Sequence, residues 1–255
     1  VRYAVRTLAR APLFAATLVM TIGLGLGLVG SAFTIFNAYL FKAIDLPNPR
    51  ELYVLIWETE GLRPQRFRLI DYEALQPEAR RLAELAATQN ASFREEDVTT
   101  QGLLVTGNYF EMLGARPALG RLLRPDDAAA RGGNAVVVLT HNAWRSRHGA
   151  CPAIVGQHIQ LGRQRFEVVG VTQPYSNLAG QELVSFYVPL TMAGAFPGDD
   201  PWATPDSASL VVIGRLRPDV TAGVMQPWLE AWLRRRFPPP SDAAPTAVRL
   251  DSLAT

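Results

Sequence analysis

The residue types that most often carry enzymatic or metal chemistry are few in this chain and are poorly spaced for it. The three histidines, His141, His148 and His158, lie seven and ten residues apart, whereas two zinc ligands on one helical face need i, i+4 spacing. Cys151 is the only cysteine, and although His148 could serve it as a base, a cysteine followed by proline in a Gly-Ala turn is more typical of a loop. Neither the phosphate-binding G-x-x-x-x-G-K-S/T motif nor the G-x-S-x-G elbow occurs. The sequence therefore predicts no enzyme, no cofactor and no metal site.

Composition excludes further classes of protein. The 255 residues carry a formal net charge of +2, which gives no surplus of positive charge for nucleic acid, so no nucleic-acid partner is expected. Apolar residues make up 48% of the chain and charged residues 19%, a balance too hydrophobic for a disordered protein. The mean hydropathy of +0.06 is too low for a chain that consists mostly of membrane spans. A single cysteine excludes an intrachain disulfide.

The most informative feature is a run of 31 residues, 11–41, that contains no Asp, Glu, Lys, Arg or His. A helix needs about 20 apolar residues to cross a bilayer, so this run predicts a transmembrane helix. Arg2, Arg6 and Arg10 precede it and Lys42 follows it, which places the N-terminus in the cytoplasm and the chain after about residue 42 on the far side of the membrane. The alternatives are a cleaved signal peptide, whose apolar core has about 7–15 residues, and a buried core helix, which would rarely lack charge over so many turns.

Glycines within this run admit two interpretations. Gly25, Gly27 and Gly30 spell G-x-G-x-x-G, but the dinucleotide-binding form of that motif lies between a strand and a helix N-terminus, and here uncharged residues continue on both sides. The other interpretation is helix packing, because Gly23 and Gly27 have the small-xxx-small spacing with which helices associate in lipid. We favour packing, which implies a partner helix in the membrane.

After residue 42 the pattern changes to short apolar runs separated by Pro, Gly and acidic loops, which predicts an α+β fold of one or two domains. Asp71 is expected to cap a helix that continues to about Leu85. Thr221 is expected to cap an amphipathic helix whose apolar face carries Val224, Trp228, Leu229 and Trp232. The flanking strands make a β-α-β unit between residues 210 and 250. The other predicted strands are 51–57, 103–106, 135–139, 157–161 and 164–171. The other predicted helices are 108–113 and 141–148. Residues 126–133 and 189–206 are predicted to be loops.

Four segments after residue 100 form a collinear set of motifs. The first is VTGNYFEMLGARPALGR at residues 105–121, and VVVLTHNAW (136–144), PAIVGQHIQL (152–161) and VVIGRLRPDVT (211–221) follow. Together they resemble the MacB-like periplasmic core domain of ABC-type permeases, and the charge-free run resembles the first membrane helix of the same MacB/FtsX-type permeases. Within the first motif, the resemblance implies a structural role for the signature residues Asn108, Tyr109, Phe110, Leu113, Gly114, Gly120 and Arg121.

The resemblance also implies a domain layout and partners. Residues 1–41 would be a cytoplasmic basic lead and the membrane helix, and residues 42–255 the core domain. Within that domain, a porter-like part would span about 45–125 and 207–250, and an inserted α/β subdomain about 126–206. The expected partners are a separate ABC ATPase subunit, other permease helices or a second permease copy, and membrane lipid. Cys151 stands where the family usually has an acidic residue, and the sequence ends at Thr255, where a second membrane helix would be expected, so we expect a fragment or a truncated copy.

Two functions from different classes follow as hypotheses. The first is a non-enzymatic permease subunit whose extracytoplasmic domain couples ATPase-driven motion to substrate export or to partner signalling, which is called mechanotransmission in this family. The second is a stand-alone membrane-anchored binding or adaptor module. A third hypothesis is a membrane-tethered hydrolase, but the sequence contains no set of catalytic residues that supports it.

Overall fold

The computed structural model describes residues 12–40, 46–59, 64–95, 98–162, 164–174, 184–196, 198, 200–205, 207–238 and 245–253. The chain divides into two compact units, Val1–Ala43 and Ile44–Thr255. Arg2, Arg6, Arg10 and Lys42, on which the predicted membrane orientation rests, lie outside the described residues.

Unit one contains helix α1 (Pro12–Leu40), which covers most of the charge-free run. Its side chains are described at positions 13, 17 and 20–34, and all of these are exposed. Among the described residues of the chain, no helix is both long enough and apolar enough to span a membrane. The predicted transmembrane helix is therefore not shown by the structure.

Unit two is a mixed α+β fold. Its strands are β1 (Leu52–Glu58), β2 (Pro64–Gln65), β3 (Phe67–Arg68), β4 (Ala83–Glu95), β5 (Val98–Val105), β6 (Pro117–Gly120), β7 (Val136–Leu139), β8 (His158–Leu161), β9 (Gln164–Thr172), β10 (Phe186–Pro189), β11 (Ala208–Leu216) and β12 (Ala247–Ser252). Its α-helices are α2 (Leu69–Ala79), α3 (Tyr109–Leu113), α4 (His141–His148) and α5 (Ala222–Arg236). Short 3₁₀ helices are Pro49–Glu51, Pro125–Ala128, Pro152–Ile154 and Leu190–Ala195.

The described strands join into one mixed sheet in the order β12-β1-β11-β4-β5-β10-β7-β9-β6, with β2, β3 and β8 paired to β1, β11 and β9. β1 lies antiparallel between β11 and β12, so the predicted β-α-β unit exists, but its two parallel strands are separated by β1. β10 pairs in parallel with β5 and continues the sheet into residues 126–206. The division into a porter-like part and an inserted subdomain stays a prediction.

Apolar side chains form two clusters on opposite faces of this sheet. Neighbouring residues of one strand alternate between the clusters, as the pleat of a strand requires: Leu103 belongs to the smaller cluster and Leu104 to the larger, and Tyr187 and Val188 divide in the same way. The larger cluster includes buried side chains of α2 and α5, and the smaller includes those of α3. Helices α2 and α5 therefore pack on one face of the sheet, and the short helix α3 packs on the other.

Two of the helix predictions need correction. The helix predicted to run from Asp71 to Leu85 ends at Ala79, and the next residues form strand β4, which pairs with β5 and β11. Pairing on both sides overrides the helical propensity of this alanine-rich stretch. Asp71 does not cap α2, since Arg68 occupies the N-cap position; instead it is buried and accepts hydrogen bonds from Nε of Arg68 at 2.5 Å and Nε of Arg236 at 2.7 Å.

The cap and the apolar face predicted for α5 are right only in part. Thr221 occupies the N-cap position, but its side chain makes no capping hydrogen bond. Val224 is exposed rather than buried. Leu229 and Trp232 of the predicted face are buried, and α5 also buries Met225 and Leu233. The predicted loop at 189–206 begins with a 3₁₀ helix, Leu190–Ala195.

Unit two is expected to fold without α1, because its core lies on the two faces of its own sheet. Residues 46–255 expressed alone should unfold cooperatively on heating. Removing residues 241–255 should lower the melting temperature by about 5–10 °C, since β12 pairs with six residues of β1 and Gln226 donates a hydrogen bond to the Val248 carbonyl. A control lacking only residues 254–255 should melt like the parent. Material that is molten unless α1 is restored would contradict this expectation.

Candidate functional site

The start of helix α3 is fixed to strand β4 by side-chain hydrogen bonds. The Thr106 hydroxyl accepts a bond from the Ala87 N–H at 3.1 Å and donates to Oδ1 of Asn108 at 3.0 Å. Nδ2 of Asn108 donates to the Leu85 carbonyl at 3.0 Å and to Oε1 of Glu84 at 3.3 Å. Asn108, one of the predicted signature residues, therefore connects the start of the helix to the first residues of β4.

The end of α3 requires a glycine for two reasons. Gly114 has a φ of 64°, the left-handed conformation of a helix C-cap, and its N–H donates to the Glu111 carbonyl at 3.0 Å. A Cβ at this position would lie 2.8 Å from Cγ of Pro47. Gly114 thus lets residues 46–51, which we call the junction segment, pass directly beside α3.

The buried side chains of α3 form an aromatic group with β10. The Phe110 and Tyr187 rings meet edge to face with centroids 5.2 Å apart, and Tyr109 and Phe110 do so at 5.3 Å. Burial raises the pKa of the Tyr109 and Tyr187 hydroxyls, so both stay neutral at physiological pH. The Tyr109 hydroxyl makes no hydrogen bond among the described residues. Ring packing, rather than hydrogen bonding by Tyr109, holds this group together among the described residues.

These rings belong to the smaller apolar cluster, which we call the α3 cluster. It begins at Leu46 in the junction segment and extends to side chains of β7, β9 and β10. Its buried members are Leu46, Leu52, Ala86, Leu103, Val105, Tyr109, Phe110, Met112, Leu113, Leu122, Leu123, Val138, Val169, Tyr187 and Ile213. Three predicted signature residues, Tyr109, Phe110 and Leu113, are thus brought together here.

The end of the signature motif holds strand β6 against β9. Gly120 has a φ of 62° and pairs with Gly170. A Cβ on Gly120 would collide with the Val169 carbonyl oxygen, and a Cβ on Gly170 with that of Arg121. The two strands therefore approach more closely than any side chain at either position would permit.

Arg121 forms a bidentate ion pair with a buried carboxylate. Its Nη1 and Nη2 donate to the two carboxylate oxygens of Asp127 at 2.6 and 2.9 Å, and Asp127 also accepts from the Arg124 N–H at 2.9 Å. Burial opposes ionisation of Asp127, but the bonds from Arg121 and from the Arg124 backbone outweigh it and hold the pKa of Asp127 below its ordinary value. Arg121 thereby joins the end of β6 to the 3₁₀ helix Pro125–Ala128.

An open groove of about 750 Å³ runs beside the signature motif. Its lining includes Gly114, Gly120 and the exposed arginines Arg116 and Arg124. No cluster of three or more His, Cys, Asp or Glu side chains suited to a metal occurs among the described residues. His141 and His148 lie on α4, His158 on β8, and Cys151 is exposed.

Gly23 and Gly27 lie one turn apart on α1. Nothing within 4 Å would meet a Cβ built at either position. Helix packing through these two glycines therefore stays a prediction.

One residue of this site was missed by the sequence reasoning. Arg215, on β11, donates from Nε to the Met112 carbonyl at 2.6 Å and from Nη2 to the Leu113 carbonyl at 3.3 Å. It therefore binds the last turn of α3. A signal was present in the sequence, because Arg215 is the one charged residue in the strand ASLVVIGRL.

Comparison with known proteins decides the family. A family model for the MacB-like periplasmic core domain matches residues 15–231. The chain belongs to this family. The resemblance seen in the motifs is thereby confirmed for the core domain, whereas the membrane helix and the truncation are not shown.

Solved structures share the fold of this MacB-like core domain. The periplasmic region of MacB from Actinobacillus actinomycetemcomitans matches with a TM-score of 0.57 at 15% identity, covering 84% of this chain and 92% of that one. A domain of a permease protein from Porphyromonas gingivalis matches with a TM-score of 0.52 at 16% identity, covering 82% of this chain and 93% of that one. No curated protein matches the chain. At these identities, the likenesses show a common α+β fold.

Substituting Gly120 by alanine is expected to destabilise the domain by about 2 kcal/mol or more, because backbone strain adds to a collision with β9. Gly132→Ala is the matched control, since Gly132 has a φ of 67° and open space around it, and it should cost about 1 kcal/mol. Denaturant unfolding measures both differences. Equal losses at the two positions would contradict the close approach of β6 and β9.

Asp127→Asn is expected to lower the free energy of unfolding by about 2 kcal/mol at neutral pH, since it weakens charge-assisted hydrogen bonds. Because the pKa of Asp127 is lower in the folded protein than in the unfolded one, its ionised carboxylate stabilises the fold above the unfolded pKa of about 3.9. This stabilisation is lost as the pH falls through the pKa of the folded state. The difference between parent and variant should therefore shrink below about pH 4. Its exposed neighbour Asp126, changed to Asn, is the control. A difference that persists undiminished at about pH 2 would refute the ion-pair explanation.

Proposed function

We propose that this chain acts as a permease subunit of an ABC-type transporter, and that its core domain couples ATPase-driven motion to substrate export or to partner signalling. Membership of the MacB-like family supports the assignment to a permease. The observation that carries the coupling role is the α3 cluster. It joins Leu46, the first residue described after α1, to strands β7, β9 and β10 in one packed group. A displacement of the junction segment would be passed to those strands through well-packed side chains, which transmit strain.

The proposal includes a membrane anchor formed by α1. Its support is the charge-free run of 31 residues and the exposure of the large apolar side chains Leu13, Met20, Ile22, Leu24, Leu26, Leu28, Val29 and Phe33. Water disfavours such a surface, and lipid or partner helices would cover it. Gly23 and Gly27 would then face another permease helix or a second copy. The arginine-rich lead supports a cytoplasmic N-terminus and a periplasmic core domain at the inner membrane.

ATP hydrolysis is assigned to a separate ABC ATPase subunit. The sequence lacks the glycine-rich loop and lysine with which such ATPases hold phosphate. The core domain itself is proposed to be non-enzymatic and to need no cofactor. Its role in the transport cycle is mechanical.

The second candidate function is a membrane-anchored binding or adaptor module. The groove beside the signature motif favours it, because the exposed Arg116 and Arg124 could bind an acidic ligand there. The two functions differ in one testable respect. Only the permease responds to ATP bound by a partner subunit.

A single fluorescent probe separates these functions, because Cys151 is the only cysteine and is exposed. The chain is labelled there and purified with its partners from native membranes. Adding ATP with vanadate should change the emission of the parent, and Phe110→Leu should reduce that change by more than half. Phe166→Leu is the matched control, since Phe166 is equally buried in the larger cluster, and it should keep the response.

A complex without any ABC ATPase, or a probe that never responds to ATP, would refute the permease function and favour the adaptor. Equal losses from the Phe110 and Phe166 substitutions would refute the role of the α3 cluster. Cys151→Ser protein treated with the same dye gives the background signal.

A further inference from the structure

The guanidinium of Arg215 binds two stretches of chain that are far apart in the sequence. Besides the Met112 and Leu113 carbonyls of α3, its Nη2 donates to the Pro47 carbonyl at 3.0 Å and its Nη1 to Oε2 of Glu51 at 2.9 Å. The side chain is 18% exposed. One half-buried cation therefore holds both the junction segment and the end of α3.

The chemistry of these partners suits arginine and no other residue. The carbonyls at the end of a helix lack intrahelical donors and carry the negative end of the helix dipole, so a cation is favoured there. A planar guanidinium offers five N–H donors in a fixed fork, and here the fork spans two backbone segments and a carboxylate. The ammonium of a lysine would keep the charge but could not reach both segments in this geometry.

We propose that Arg215 is the positioning residue that makes the junction segment and α3 move as one body. This inference rests on the proposed coupling function and names the residue through which motion passes from residues 46–51 to the α3 cluster. The register of the sheet supports it, since Arg215 pairs with Leu52 directly after the junction segment. We call the Arg215 side chain with its bonds to the junction segment and α3 the Arg215 clamp. This clamp lies where the chain joins the sheet.

A second path between the two segments exists, and the test must separate it. Pro47 lies beside Gly114, so a van der Waals contact could also pass motion to α3. Asn48 provides a perturbation within the junction segment. It has a φ of 48°, and Asn48→Ala strains this turn because alanine disfavours the left-handed region.

Amide hydrogen exchange of the full chain tests the clamp. Arg215→Met should raise the exchange rates of the Glu51, Gly114 and Ala115 amides together, by about tenfold, since it removes charge-assisted bonds to both segments. Arg215→Lys should not restore protection at both segments. Arg217→Met is the matched control, because Arg217 lies two residues further along, is exposed, and donates only a long side-chain hydrogen bond of 3.4 Å, to the Arg80 carbonyl, among the described residues. It should leave all three amides unchanged.

The decisive measurement combines two substitutions. In the parent, Asn48→Ala should raise the exchange of the Gly114 and Ala115 amides at least threefold, and in the Arg215→Met background it should have no further effect on them. An undiminished effect in that background would overturn the proposal and assign the coupling to the Pro47 contact. An effect of Asn48→Ala confined to the junction segment would also overturn it. Neither result depends on the ATPase, so failure of the clamp and failure of the transport function are distinguishable.

Discussion

The packing of α3 against one face of the sheet is the contact on which the rest of the structure depends. A helix of five residues is not stable in isolation. Fixing the backbone of its first turn costs more conformational free energy than so few backbone hydrogen bonds contribute. Helix α3 exists because Asn108 fixes its start, Gly114 ends it, and Tyr109 and Phe110 are buried on the sheet. These interactions act on the same five residues, so each one supports the others in holding α3 in place.

The two faces of the sheet differ in what packs against them. The larger cluster packs α2 and α5 over one face and contains most of the buried apolar side chains. The α3 cluster is smaller, and it contains the junction segment at one end and β7, β9 and β10 at the other. The second face holds the contact between Leu46 of the junction segment and strands β7, β9 and β10. This arrangement suits a domain that receives motion at the point where the chain joins it.

The sequence predicted the helices and strands that depend on local interactions. It missed the features that depend on residues far away in the chain. The short helix at 108–113 and the strands at 157–161 and 164–171 followed from the local apolar pattern. Strand β4 did not, because its Ala, Glu and Leu residues favour a helix until β5 and β11 pair with it. The close approach of Gly120 and Gly170 needs the sheet register, and the partners of Arg215 lie more than 100 residues away in sequence.

The central claim is that the junction segment and the far strands are energetically coupled through the α3 cluster. A double-mutant cycle of the free energy of unfolding between Leu46→Ala and Tyr187→Leu measures this coupling most directly. Because Leu46 and Tyr187 belong to the same packed cluster, their two substitutions should deviate from additivity by at least about 0.5 kcal/mol. Phe166 lies in the opposite cluster, so Leu46→Ala and Phe166→Leu should be additive to within less than about 0.5 kcal/mol. A coupling energy near zero for the first pair, or the same value for both pairs, would contradict the account.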